Sequence, residues 1–140
     1  MTAKLILFVV CCTAFGQMDT STLRAKYGEP IARENFQVRP NIEAVVNYGT
    51  GHQVCKIDLP PGSYVSPPHE ATNQQVDEVI DELVPPSVRG KEIGKGVVSA
   101  ARIAVSRTEY EHITISELLD PDHPGRRTSV IITFKRPDCH

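Results

Sequence analysis

The chain has 140 residues, four cysteines, eleven prolines and no tryptophan, and its formal net charge is -2 at pH 7. This length suits one compact domain. Because charged residues make up 23% of the chain and basic ones are not in excess, the composition excludes a disordered chain and a protein that binds nucleic acid through its overall charge. We therefore expect a single folded domain and no nucleic-acid partner.

The first 16 residues have the pattern of a secretory signal peptide. Lys4 supplies a positive charge, residues 5–15 form an apolar run, and Ala14 and Gly16 are small residues at the -3 and -1 positions before Gln17. The apolar run is shorter than the roughly 20 residues that a membrane helix needs. The sequence thus predicts a signal peptide at 1–16 and a single globular α+β domain at 17–140, exported to the periplasm or the cell exterior, with no membrane span after cleavage.

A lipid-anchored variant of this export signal stays open. Cys11 or Cys12 would then be the lipidated cysteine, although Val10 is not the small residue that usually precedes such a cysteine.

Cleavage after residue 16 leaves two thiols, Cys55 and Cys139, in an oxidising compartment. Two cysteines allow one intramolecular disulfide, and unpaired thiols or intermolecular pairing are the alternatives. A closed zinc site needs four ligands at recognisable spacing, and the chain has no CxxC or HxxxH motif. The sequence therefore predicts a disulfide between Cys55 and Cys139 and no metal site.

Along the domain, a short helix and a three-stranded meander come first. Leu23 and Tyr27 lie four residues apart on one helical face, and Gly28 followed by Pro30 ends the helix. Residues 35–39, 42–48 and 53–59 then alternate apolar and polar side chains, with Cys55 on the apolar side of the third strand.

The segments LRAKYGEP and FQVRPNIEAVVNYGTGHQVCKI carry a resemblance to known proteins. They look like small exported bacterial proteins of uncharacterised function. Over residues 22–58 they also resemble the small outer-membrane assembly lipoproteins, which have two helices and three strands. The resemblance implies a protein of the bacterial envelope and carries over no active site.

A second helix is predicted over residues 72–84. Thr72 and Gln75 form a capping box, and Pro85 ends the helix. Its apolar stripe consists of Val76, Val79, Ile80 and Leu83. Its acidic face, interpreted as solvated surface with a basic partner or a divalent cation as the alternative, consists of Asp77, Glu78, Asp81 and Glu82.

The last third of the chain predicts strands after a glycine-rich segment. That segment fails the spacing of a phosphate-binding loop and predicts a mobile basic loop with Arg89, Lys91 and Lys95. Residues 97–107 fit either a strand or a helix, whereas 108–116 and 128–136 predict an antiparallel pair of strands. The expected fold is α+β, with an antiparallel sheet of about five strands and two short helices.

Candidate catalytic residues occur in the segment RTEYEHIT. Alternation along a strand would place Glu109 and Glu111 on one face and His112 on the other, and histidine titrates in the useful range. The competing interpretation is the solvated face of an ordinary strand.

The turn-rich segment DPDHPGRR supplies the candidate binding residues. Its aspartates and histidine suit a metal or acid–base pair and its arginines suit an anion, whereas turn chemistry alone also explains the aspartates. These residues are Asp120, Asp122, His123, Arg126 and Arg127.

These observations favour a non-catalytic binding or accessory module of the bacterial envelope, acting without a cofactor on an envelope protein or a small molecule. One alternative is a small hydrolase or lyase that uses Glu109, Glu111 and His112. Another is a carrier that encloses a small apolar ligand between helix 72–84 and the sheet. The oligomeric state stays open, since an exposed sheet edge can pair with a second copy.

Overall fold

The computed structural model describes residues 20–28, 34–49, 52–60, 71–100, 103–123 and 125–139. The predicted signal peptide, residues 1–16, lies outside the described residues, and so do Cys11 and Cys12 with their predicted lipidation.

Seven antiparallel strands form one sheet, flanked by helices. In chain order the elements are α1 Thr20–Tyr27, β1 Asn35–Arg39, β2 Ile42–Tyr48, β3 Val54–Leu59, α2 Asn73–Leu83, α3 Pro86–Arg89, β4 Glu92–Ala100, β5 Ile103–Tyr110, β6 Ile113–Leu119, β7 Arg127–Phe134 and a 3-10 helix Pro137–Cys139. The strand order is β1-β2-β3-β7-β6-β5-β4. The predicted α+β class and the early meander are confirmed, but the expected numbers of five strands and two helices are too low.

The segment predicted to be a mobile basic loop forms part of α3 and β4, and that prediction is wrong. The single strand predicted over 108–116 is wrong too, because β5 ends at Tyr110 and β6 begins at Ile113. Arg89 ends helix α3, and Lys95 lies within β4, which pairs with β5 from Glu92 to Ala100. The ambiguous residues 97–107 belong to the same hairpin. Glycine composition misleads here because the cross-strand hydrogen bonds with β5 stabilise an extended backbone that glycine disfavours on its own.

Helix α1 lies where the sequence predicts it, and a carboxylate on α2 anchors it. Leu23 is buried, and the Tyr27 hydroxyl donates to Glu82 at 3.4 Å. Burial and the nearby Glu82 carboxylate raise the pKa of Tyr27 to about 12. Glu82 also accepts from Arg39 of β1 at 2.7 Å. This end of the acidic face is therefore an attachment point for α1 and β1 and not free surface.

Helix α2 covers one face of the sheet, called the inner face below. Thr72 and Gln75 form the predicted capping box. All four residues of the predicted stripe are buried in one cluster with sheet residues such as Ile57, Leu59 and Ile132. Each such side chain contributes about 1.5–3 kcal/mol by leaving water. The interface between α2 and the sheet is thus filled by the protein's own side chains.

The apolar core ends at strand β6. Ile113 and Ile115 are its last buried apolar residues in that direction, and the buried inner-face residues of the next strand, β5, are Ser106 and Thr108. Strands β5 and β4 therefore continue the sheet beyond the apolar core, and we call them the β4–β5 hairpin.

A disulfide joins the two halves of the sheet. Cys55 on β3 is bonded to Cys139, 84 residues later in the 3-10 helix, as the sequence predicts. The guanidinium of Arg136 donates to the Gln53 side chain at 2.9 Å and to the carbonyl of Val54, and it stacks over Phe134. The C-terminal segment up to Cys139 is thus tied to the edge of the core.

We expect the disulfide to stabilise the fold strongly because it closes a long loop of the unfolded chain. Replacing both cysteines (Cys55→Ala and Cys139→Ala) should lower the free energy of unfolding by about 2–4 kcal/mol, measured by urea denaturation. Reductant should lower the midpoint of the parent protein and leave that of the double variant unchanged. Equal unfolding free energies for the oxidised parent and the double variant would contradict this assignment.

The attachment at Glu82 predicts a pH dependence. The hydrogen bond from Arg39 holds the pKa of Glu82 below its usual value of 4.5. A depressed folded-state pKa gives stability that is present above the unfolded pKa and is lost as pH falls through the folded pKa. Glu82→Gln should therefore destabilise the protein at pH 7, and its deficit should shrink steadily below pH 4.5.

Urea unfolding at pH 7 and at successively lower pH measures this deficit. Glu78→Gln is the matched control, because Glu78 also acts on the charge of Arg39 but, among the described residues, accepts a side-chain hydrogen bond only from Gln74 on the same helix. A Glu82→Gln deficit that stays constant over the acid range would show that the ion pair with Arg39 does not contribute.

Candidate functional site

The β4–β5 hairpin presents an unusual sheet edge. Strand β4 is the last strand of the sheet, and its side chains from Glu92 to Ser99 are all exposed. Ile93, Val97, Val98 and Ile103 are 61–68% exposed. Proteins normally protect such an edge with charges, proline or a covering segment, since its unpaired backbone groups can bind another strand. A long edge strand with large apolar side chains is therefore a candidate binding surface.

Register with β5 assigns the side chains of β4 to two faces. Lys95 pairs with Thr108 and Val97 with Ser106, whose side chains belong to the inner face. Gly94, Gly96 and Val98 alternate with them and lie on the outer face. Both faces of the strand consequently carry an exposed valine.

A polar cleft of about 190 Å³ lies beneath the inner face of the hairpin. Asp77 and Asp81 of α2 and Arg89 of α3 form one wall. The other wall consists of sheet residues Lys95, Thr108, Tyr110, Glu117 and Arg127. The cleft exists because the apolar core ends at β6 while the sheet continues, and we call it the hairpin cleft.

Two arginines of the cleft are neutralised by their neighbours. The Arg127 guanidinium is 15% exposed, donates to both carboxylate oxygens of Asp77 at 2.6 and 3.0 Å, and lies 3.1 Å from Glu117. Arg89 pairs with Asp81 and donates to the carbonyl of Val84. These pairs join α2 and α3 to the sheet, so the acidic face of α2 is only partly the solvated surface that the sequence indicates.

The third cation that lines the cleft is Lys95, which takes part in neither of these sets of ion pairs. Within the described part of the chain its ammonium group has no ion-pair or hydrogen-bond partner. Its cross-strand neighbour Thr108 is 9% exposed and presents a hydroxyl to the same cleft. The cleft lining has three carboxylates and three cations in all. An incoming carboxylate would therefore meet a balanced set of charges in which the Lys95 ammonium group is the one without an ion pair among the described residues.

The outer face of the hairpin has a shallow depression of about 250 Å³. It lies over Gly94 and Gly96, which are opposite Glu109 and Arg107 of β5. A Cβ atom added to either glycine would have no neighbour within 4 Å, and neither backbone is in the left-handed region. The surface is open there because Gly94 and Gly96 have no side chains to fill it.

The predicted catalytic residues have separate structural partners. Glu109 lies on β5 and pairs with Arg107 at 3.0 Å, whereas Glu111 follows the strand and accepts from the backbone N–H of Lys91 at 2.8 Å. Strand β5 ends at Tyr110, so the alternation that would place both carboxylates on one face stops between them. The exposed His112 lies in the same turn, where its backbone N–H donates to the carbonyl of Arg89.

A glycine makes this turn possible. Gly90 has φ 76°, and a Cβ at this position would lie 2.6 Å from a Glu111 carboxylate oxygen and 3.0 Å from the His112 ring. The turn that holds Glu111 and His112 therefore packs against the connection between α3 and β4. This packing gives Glu111 and His112 a structural role.

The predicted binding loop is organised by Asp120. Its carboxylate accepts from the backbone N–H groups of Asp122 at 2.9 Å and His123 at 3.3 Å, and the His123 ring lies 3.0 Å away. The hydrogen bond from Asp122 holds the pKa of Asp120 below its usual range. Arg126 lies 3.8 Å from the same carboxylate. Arg127 begins β7 and is the member of this group that lines the hairpin cleft.

Sequence reasoning did not connect the residues that form the cleft. Lys95 belonged to a predicted loop, Asp77 to a solvated face, and Glu117 to a connecting segment. A signal for the exposed edge was present in VVSAARIAV, where apolar residues occupy consecutive positions without the alternation of a half-buried strand.

The residues that the structure describes lack two further features. They contain no cluster of three or more histidine, cysteine, aspartate or glutamate side chains placed to hold a metal ion. None of their helices has the length and apolar character required to span a bilayer.

Comparison with known proteins gives one distant structural likeness. No family model matches the chain, and no curated protein matches its sequence. The fold is similar, with a TM-score of 0.45 and 11% identity, to the crystal structure of a DUF4309 family protein (YjgB) from Bacillus subtilis. The match covers 86% of this chain and 80% of that chain. A likeness at this distance assigns neither a family nor a function.

The ion pairs of the cleft predict a ranking of two variants. Arg127→Met should lower the unfolding free energy by about 1–3 kcal/mol, because it leaves the Glu117 carboxylate, 20% exposed, without its cation. Asp77→Ala should cost about 1 kcal/mol or less, since Asp77 is 57% exposed. Urea denaturation of both variants measures the ranking, and an equal or larger cost for Asp77→Ala would contradict it.

Proposed function

We propose that the protein is an exported, non-catalytic binding module of the bacterial envelope that adds an extended segment of a partner protein to the free edge of β4. The observation that carries this proposal is the exposure of the whole strand from Glu92 to Ser99, with valines on both faces. The side chains of adjacent strands pack beside each other as cross-strand pairs on each face of a sheet, and apolar pairs stabilise the contact. Strand β4 thus has the composition of a strand that acquires a further neighbour.

The backbone of an edge strand is suited to such binding. Unpaired N–H and C=O groups supply main-chain hydrogen bonds to an added strand, and side chains on alternate faces supply selectivity. In β4 the alternate groups are Lys95 and Val97 on one face and the glycines and Val98 on the other. An added strand would therefore meet chemically different surfaces above and below the sheet.

Export is supported by the N-terminal pattern and by the disulfide. Disulfides persist in oxidising compartments outside the cytosol. The Cys55–Cys139 bond fits a protein that works in the periplasm or outside the cell.

The alternatives have less support from the geometry. For a hydrolase or lyase, Glu109, Glu111 and His112 would need to converge on a pocket, but the two carboxylates are held by different groups on either side of a strand end. For an apolar carrier, the space between α2 and the sheet would need to be open, but buried side chains of the core cluster occupy it.

Site-specific photocrosslinking in cells of the source organism tests the proposal. The photoreactive residue p-benzoylphenylalanine replaces Val98 on β4 in one strain, and Thr133 in the matched control strain. Thr133 is exposed on the outer face of β7, in the interior of the same sheet. We expect a discrete adduct with another protein from position 98 and none from position 133.

A second substitution identifies the edge as the binding element. Val97→Glu should abolish the adduct from position 98, because a charged side chain replaces the apolar contact that an added strand would make beside Val97. Since Val97 is 61% exposed, the unfolding free energy should change by less than about 0.5 kcal/mol. Equal adducts from positions 98 and 133, no adduct, or an adduct only with a second copy of this chain would each overturn the proposal.

A further inference from the structure

We infer that the partner segment pairs antiparallel with β4 and carries the order apolar, aromatic, acidic, with the acidic side chain entering the hairpin cleft to pair with Lys95. This inference rests on the binding function proposed above and specifies the chemistry of the partner. It comes from the register of β4, the charges of the cleft and the shape of the outer face.

The cleft selects an acidic side chain. Arg127 pairs with both Asp77 and Glu117, and Arg89 pairs with Asp81, whereas Lys95 has no ion pair among the described residues. A residue opposite Lys95 on an added strand would lie on the inner face, next to that ammonium group and to Thr108. A carboxylate at this position can form an ion pair with Lys95, which a basic residue cannot.

Alternation then assigns the neighbouring residues. The residue opposite Gly96 lies on the outer face, where the depression of about 250 Å³ extends between Val98 and Arg107. An aromatic ring fills the space that a cross-strand glycine leaves open, and it can stack on the Arg107 guanidinium, which is 57% exposed. The next residue lies opposite Val97 on the inner face and is apolar.

Direction follows from the sheet. All neighbouring strands of this sheet are antiparallel, and antiparallel pairs are slightly more stable per residue than parallel ones. Read from its N-terminus, an antiparallel segment places its apolar residue opposite Val97, its aromatic residue opposite Gly96 and its acidic residue opposite Lys95. Val-Phe-Glu is the simplest sequence of this kind.

A peptide-binding experiment with a charge exchange tests the inference. The probe is a fluorescent, threonine-flanked peptide with Val-Phe-Glu at its centre, and fluorescence anisotropy measures its dissociation constant with the oxidised protein. Exchanging the peptide Glu for Lys should weaken binding by about tenfold or more. Lys95→Glu should weaken binding of the original peptide by a similar factor and restore binding of the lysine peptide.

The outer face is tested by a variant that the fold should tolerate. Gly96→Val adds a side chain into open space at a strand position that favours β-branched residues, so the unfolding free energy should not fall. The added side chain occupies the depression, and binding of the Val-Phe-Glu peptide should weaken by about tenfold or more. Ala in place of the peptide Phe should weaken binding to the parent protein and make Gly96→Val nearly neutral.

The outcomes separate this inference from the proposed function. No measurable peptide binding, no rescue by the charge exchange, or full binding to Gly96→Val would overturn the inference. If the crosslink from position 98 persists in that case, the edge of β4 still binds a partner, but one of different side-chain chemistry. If the crosslink is also absent, the proposed function fails as well.

Discussion

The antiparallel pairing of β3 with β7 is the contact on which the remainder of the structure depends. Four cross-strand pairs from Lys56–Thr133 to Leu59–Val130 join the meander β1–β3 to the meander β4–β7, which follows it in the chain after α2 and α3. Residues from both halves share one buried cluster with the apolar stripe of α2. The disulfide from Cys55 to Cys139 lies at the end of the same pair of strands and limits their separation in the unfolded chain.

One consequence of this arrangement is that the two faces of helix α2 have different environments. The apolar face is buried in the core, and the acidic face forms ion pairs with other elements. The apolar stripe of α2 is buried in one cluster with sheet residues from both halves, and three of the helix's four carboxylates pair with groups on other elements. Glu82 holds Arg39 and Tyr27 at one side, and Asp77 holds Arg127 at the other. A helical projection places Glu82 and Asp77 in solvent. In the structure Glu82 holds α1 in place, and Asp77 forms part of the hairpin cleft.

The second consequence concerns the edge. The apolar core is centred on the β3–β7 junction and ends at β6, two strands before the sheet does. The β4–β5 hairpin therefore has an inner side with Lys95, Val97 and Thr108, an outer side with two glycines and Val98, and a backbone edge that no other described strand pairs with. Binding through this edge requires no catalytic group, which agrees with the structural partners of Glu109, Glu111 and Asp120.

Local features were predictable from the sequence alone. The capping box of Thr72 and Gln75, the stripe from Val76 to Leu83 and the alternation of residues 35–59 depend on neighbours within a few positions, so the elements they predict are present. The disulfide partner of Cys55 also followed, because a single other cysteine remains after residue 16. Strand β4 and the cleft were decided only by the tertiary structure. Whether a glycine-rich segment becomes a strand depends on its hydrogen bonds with β5. Whether Asp77, Lys95 and Arg127 meet depends on the order of the strands in the sheet. Both are long-range properties of the folded chain.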